Sequence, residues 1–161
     1  MRRVFGAVCA GTVAALILSG TGSAVGTKTI PFTAKYAGHA TVTNSDNVAT
    51  ISATGVGTGT PIGKGTIAGN GKGDSSQQPC VPFVGTGKMV GKLGVLNFKV
   101  NVGSSGCGDE GGHSFTVSGK ASVLKGSTGA VKGAKGTLKF TGFYNHDDGS
   151  FNVKFTGALT R

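Results

Sequence analysis

Apolar and polar residues alternate with period two along most of the chain. Leu96, Phe98, Val100 and Val102 fall on one face, with Asn97, Lys99 and Asn101 opposite. Phe115, Val117, Gly119, Ala121 and Val123 repeat the pattern, as do Leu138 and Phe140, and Phe151, Val153, Phe155 and Leu159 close the chain in the same way. Such alternation predicts half-buried strands, because successive side chains of a strand point to opposite faces. Earlier segments read similarly: Lys28 to Thr43 as one or two strands, and Val48 to Thr58 with Ile51, Ala53, Gly55 and Gly57 on one face. Cys80 to Met89, which begins between Pro79 and Pro82, suits an edge or a strand start. Pro61 to Ser76 is dominated by Gly, Lys and Asn, and predicts a short strand over 64–68 followed by a mobile loop over 69–74. Turns are predicted at Ser45-Asp46-Asn47, Gly103 to Gly112, Gly126 to Gly129 and Asn145 to Gly149, the last a hairpin with Gly149 at positive φ.

About eight short antiparallel strands, each with one apolar face, predict a single all-β domain. An eight-stranded β-barrel is preferred, with a β-sandwich as the alternative. The preference comes from small residues on the inward faces, Gly119, Ala121, Gly142 and Gly157. In a small barrel these let strands bend and coil while large neighbours fill the space. Glycine contributes 31 of 161 residues, without the three-residue period of collagen.

The first residues follow another pattern. Met1-Arg2-Arg3 is a short positive segment, and Val4 to Leu18 is an apolar run too short to span a bilayer. Ser19 to Ala24 is built of small residues. This predicts a cleaved signal peptide over 1–24, a mature domain over 25–161, and a secreted, extracellular protein that is not membrane-embedded after cleavage. Cys9 lies inside the apolar run, which argues against a lipid-modified N-terminus. Removing 24 residues from 161 leaves 137, enough for one domain with its own core.

Two cysteines then remain, Cys80 and Cys107, and an even pair in an exported chain predicts a disulfide. The formal charge of +10 falls to +8 without Arg2 and Arg3. The lysines are scattered and arginine is scarce, so a nucleic-acid partner is not expected. Solvated strand faces and edge protection account for them, and attraction to an anionic cell-surface polymer is the sharper alternative.

Gly126 to Gly142, GSTGAVKGAKGTLKFTG, resembles the signature of the barrel shared by dirigent proteins and allene oxide cyclases. Gly126, Thr128 and Gly129 match its Gly-x-Gly-like turn, and Ala134 and Gly136 match the Ala-x-Gly that opens the next strand. The strand with Val117, Gly119 and Val123 is similar to the one that precedes this turn. The resemblance covers the C-terminal third and implies an eight-stranded barrel whose interior holds a small hydrophobic molecule. In plant members the barrel steers a reactive intermediate or cyclises an oxidised fatty acid. No residue here matches those members' functional positions, so the resemblance implies the fold and not the chemistry.

Two polar clusters are candidates for a rim site. Asp109, Glu110 and His113 follow Cys107, while His146, Asp147 and Asp148 lie in the last hairpin turn. The first could supply an acid–base pair or a cation site, and both together a composite site if they rim one barrel mouth. As sequence neighbours in glycine-rich turns, they read first as solvated loop tips. The calcium-loop ligand pattern is missing, and Gly63 to Gly73 lacks both the spacing of a phosphate-binding loop and the helix that follows one. No catalytic residue, metal or cofactor is assigned. Non-catalytic binding of a small hydrophobic ligand is the leading expectation. A basic cell-surface structural or interaction protein comes next, and an isomerase or cyclase acting in the cavity last. Oligomers are compatible with the pattern.

Overall fold

A computed structural model describes residues 26–161. The expected signal peptide, with Cys9, lies outside the described residues. The fold is all-β. The strands are β1 (Thr29–Ser45), β2 (Val48–Thr60), β3 (Gly63–Asp74), β4 (Cys80–Gly91), β5 (Gly94–Gly108), β6 (Ser114–Val123), β7 (Thr137–Asn145) and β8 (Ser150–Thr160). Each pairs antiparallel with its sequence neighbour, and β8 returns to β1, so the sheet closes into an eight-stranded barrel. Beside this seam the Lys28 and Arg161 backbones exchange hydrogen bonds of 2.8 and 3.1 Å.

Inward positions carry the apolar face seen in the sequence. Ile30, Phe32, Ala34 and Tyr36 of β1, Leu96 and Phe98 of β5, Leu138 and Phe140 of β7, and Phe155 and Leu159 of β8 are all buried. The glycines are the counterpart of the aromatics. Phe98 is paired with Gly87, Phe140 with Gly119, Tyr36 with Gly57 and Phe115 with Gly108. A Cβ at Gly87 would lie 2.5 Å from Phe98 Cζ, and one at Gly57 would lie 2.6 Å from Tyr36 Cδ1. Each ring occupies the space its cross-strand partner leaves empty, so large and small residues interlock across neighbouring strands.

Four expectations are corrected. The segment 69–74 is not a loop: β3 runs unbroken to Asp74, with Gly69 opposite Gly87 and Gly71 opposite Gly85. Val102 does not face inward and is 91% exposed. A bulge sets residues 101–104 of β5 against only Gly119 and Lys120 of β6, which breaks the alternation after Val100. Ser104 closes this bulge from a buried position, donating its hydroxyl to the Asn101 carbonyl at 2.9 Å. Consequently β5 extends to Gly108, and the turn that follows is shorter than 103–112.

Nor is the segment beginning at Gly126 a tight turn. It belongs to a long β6–β7 connection that holds a short 3-10 helix, Gly129–Val131. Val131 and Ala134 of this connection are buried in the core, and the Ala130 N–H donates to the Leu93 carbonyl at 2.8 Å. The connection thereby plugs one end of the barrel. At the other end lie the β1–β2, β3–β4, β5–β6 and β7–β8 turns, which form the mouth. Asp46 and Asn47 both take positive φ (50° and 64°), the geometry that a two-residue hairpin of matching twist needs.

Candidate functional site: an apolar cup with an acidic rim

The core fills only the closed half of the barrel. Above it, a cavity of about 520 Å³ opens towards the mouth. Its floor is the aromatic layer Phe98, Phe155 and Phe140, whose ring centroids are 5.5 and 5.6 Å apart in sequence along the layer. Its wall is built from Val42, Ile51, Val81, Val100, Val117, Phe151 and Val153, with small residues such as Ala40, Ala53 and Gly106 between them. The small residues matter: large side chains there would continue the core upwards, and the cup would not exist. Tyr144 and His146 are the titratable side chains among the lining residues, beside polar Asn44, Ser75 and Gln78.

Cys80 and Cys107 form a disulfide, as expected, across directly paired positions of β4 and β5. It ties these strands where they approach the mouth, one residue before β5 ends at Gly108.

Both candidate clusters lie at this same end. Asp109, Glu110 and His113 occupy the β5–β6 turn, and His146, Asp147 and Asp148 the β7–β8 turn. Two contacts join the turns. The His146 N–H donates to the His113 carbonyl at 2.7 Å, and His113 Nδ1 lies 2.8 Å from Asp147 Oδ1. An ionised carboxylate only accepts, so Nδ1 carries the proton. The Asp147 hydrogen bond, and then its charge, raise the His113 pKa above the usual histidine value. His146 lines the cup and stacks edge-on against Phe115 and Tyr144. Glu110 is exposed and has no role in the joined pair.

The remaining acids serve their own turns. The Ser76 hydroxyl and the Gln77 amide donate to Asp74 at 2.6 and 2.8 Å, which lowers its pKa. Desolvation raises the Asp109 pKa, but the N–H groups of Ser114, His113 and Gly112 outweigh it and hold the carboxyl below the usual range. Ser150 does the same for Asp148, through its hydroxyl first and then through its N–H, which donates at 2.8 Å. All six acidic side chains of the chain, Asp46 and Asp74 included, thus sit in or beside the mouth turns. Sequence reasoning had not singled out Asp74. Its position two residues before Ser76 is the signal of a carboxylate turn.

Among the described residues, no group of three or more His, Cys, Asp or Glu is placed to hold a metal ion. Likewise no described helix is long and apolar enough to cross a membrane. The outward strand positions are mostly Thr, Ser, Lys and Asn, the inverse of the apolar-out pattern of a membrane barrel. Comparison with known proteins finds no matching family model, no similar curated protein and no similar solved structure.

Proposed function

We propose that this barrel is a carrier or sequestering protein that binds a small hydrophobic ligand in its cup without transforming it, outside the cytoplasm. The observation that carries this reading is the cup itself: about 520 Å³ lined by Phe, Val, Ile and Ala, open at one end. That volume lies within the roughly 300–1,000 Å³ of small-molecule sites. Packed interiors leave few voids larger than a water molecule, so a space this large above an otherwise filled core is a shape with a use. The N-terminal signal-peptide pattern and the disulfide support an oxidising, external location. The resemblance to the dirigent and allene oxide cyclase barrel points to the same kind of occupant. A cyclase role draws less support, because the only titratable lining groups among the described residues, Tyr144 and His146, stand by the mouth, away from the aromatic floor.

The test uses a neutral, environment-sensitive dye, N-phenyl-1-naphthylamine, so that surface lysines do not attract it. The protein should bind it saturably with a rise in fluorescence. Ala53→Phe, which places a ring in the cup, should abolish binding while the far-UV circular dichroism stays unchanged. No saturable binding, or equal binding by a folded Ala53→Phe variant, would overturn the proposal.

A further inference from the structure

The outer wall holds a pattern that the cup does not use. Lys35 of β1 and Lys154 of β8 are directly opposite each other, and so are Lys120 of β6 and Lys139 of β7. Lys139 is paired with Thr156, two residues from Lys154 towards the closed end. Lys99 of β5 is paired with Ser122, two residues below Lys120, and Lys88 of β4 with Asn97, two residues below Lys99. All six lysines are exposed and point outward. They form one unbroken series across β1, β8, β7, β6, β5 and β4, each level with its neighbour or two residues lower. Strands of a closed barrel tilt by about 35–45°, so a series stepped in this way runs around the barrel as a ring that is open at β2 and β3.

Three facts say that the ring is not ordinary surface. Like charges directly opposite in a sheet are destabilising, and two such pairs occur here. No lysine pairs with a carboxylate among the described residues, since every acid is at the mouth and the single ion pair is His113–Asp147. Of the two expected roles, solvated strand faces and edge protection, the second does not apply, because a closed barrel has no edge.

We propose that this lysine ring is a docking track for a linear, flexible phosphodiester polymer that carries no bases, such as a polyol phosphate. Neighbouring lysines are about 5 Å apart where directly opposite and about 7–8 Å where diagonal, a spacing for single anionic charges repeated along a chain. Thr156, Thr141, Ser122 and Asn97 lie between the lysines and offer hydroxyls and an amide to phosphate oxygens. The ring has no arginine and no aromatic residue to read or stack a base. It follows the curve of the barrel, so a flat bilayer meets only a few strands at once, whereas a flexible chain can wrap it. This track is independent of the cup.

The experiment is fluorescence anisotropy with labelled poly(glycerol phosphate) and the purified protein between 50 and 200 mM NaCl. With a slope of about −0.7 per neutralised phosphate for a flexible strand, six contacts give a loss of about 300-fold across that range. Lys139→Gln with Lys154→Gln should reduce the salt effect to about 50-fold, and Lys125→Gln with Lys132→Gln, outside the ring, should leave it unchanged. Lys154→Gln alone should also raise the melting temperature slightly, because it relieves a like-charge pair. Equal effects of the two double variants would overturn the proposal. So would tighter binding to phosphatidylglycerol vesicles than to the polymer, which indicates a membrane surface, or tenfold tighter binding to an oligothymidylate of equal charge, which indicates nucleic acid.

Discussion

Replacing Tyr36 by phenylalanine should make the barrel more stable. Tyr36 points inward from β1 and is 2% exposed, its ring against Gly57, and its hydroxyl is buried with no hydrogen-bond partner among the described residues. A buried polar group left unpaired costs about 1–3 kcal/mol. Phenylalanine keeps the ring in its place and removes that cost, so Tyr36→Phe should stabilise by about 1–2 kcal/mol. At roughly 3–5 °C per kcal/mol for a domain of this size, the melting temperature should rise by about 3–10 °C. Scanning calorimetry or circular dichroism reads this directly. A second measurement follows from composition: the chain has two tyrosines and no tryptophan, so tyrosinate absorbance is easily assigned. Burial raises the Tyr36 pKa, and burial followed by the Asp148 charge raises that of Tyr144. A raised folded-state pKa means that the neutral phenol's advantage is complete below the ordinary value of about 10 and is lost as the pH climbs beyond it. Wild type should therefore lose stability in alkali more steeply than Tyr36→Phe does. A Tyr36→Phe variant destabilised by about 0.5 kcal/mol or more would refute the reasoning, since it would show that the hydroxyl has a stabilising partner.

Phe155→Ala should cost about 3–5 kcal/mol in urea unfolding, because the ring is 4% exposed between Phe98 and Phe140. Val117→Ala, on the open wall of the cup, should cost far less, and equal losses would mean that the wall is packed. The Cys80→Ser, Cys107→Ser double variant should lose about 3.5 kcal/mol, the chain-entropy value for a separation of 27 residues, seen as a lower urea midpoint; an unchanged midpoint would contradict this. The raised His113 pKa makes the link between the two mouth turns complete below the ordinary histidine value and lost as pH rises through the folded one. Nuclear magnetic resonance titration should show the His113 midpoint falling in Asp147→Asn, and an unmoved midpoint would show that the pair does not form.

Strand positions were legible because one face of each strand is apolar, and the alternation of β6 and β8 could be read residue by residue. What escaped notice depends on partners. Gly69, Gly71 and Gly73 look like loop residues along the chain, yet in β3 they sit opposite Gly87, Gly85 and Phe83 across the β3–β4 pairing. The bulge at 101–104 was hidden because Val102 continues the spacing of Leu96, Phe98 and Val100; only Gly103, at φ 87°, hinted at the break. The cup was illegible for a different reason. Alternation tells which side chains face inward, but not whether those side chains fill the interior. The two polar turns were visible as clusters, while their meeting at His113 and Asp147 required the antiparallel order that sets both at one end. The lysine ring likewise needs the register of five strand pairs before scattered charges become a line.

The seam between the first and last strands governs how the fold is reached. Seven of the eight pairings join sequence neighbours and can zip as hairpins, whereas β1 and β8 pair over eleven positions only when the first and last strands meet. Until Ser150–Thr160 is available, the other seven strands form an open sheet with two bare edges, the arrangement most prone to pairing with another chain. Completion is therefore a single late event that depends on the final strand. A chain shortened by that one strand would be an aggregating sheet and not a slightly smaller barrel. A circularly permuted chain, with Lys28 joined to Arg161 and new ends in a mouth turn, would move the same late step to a different seam.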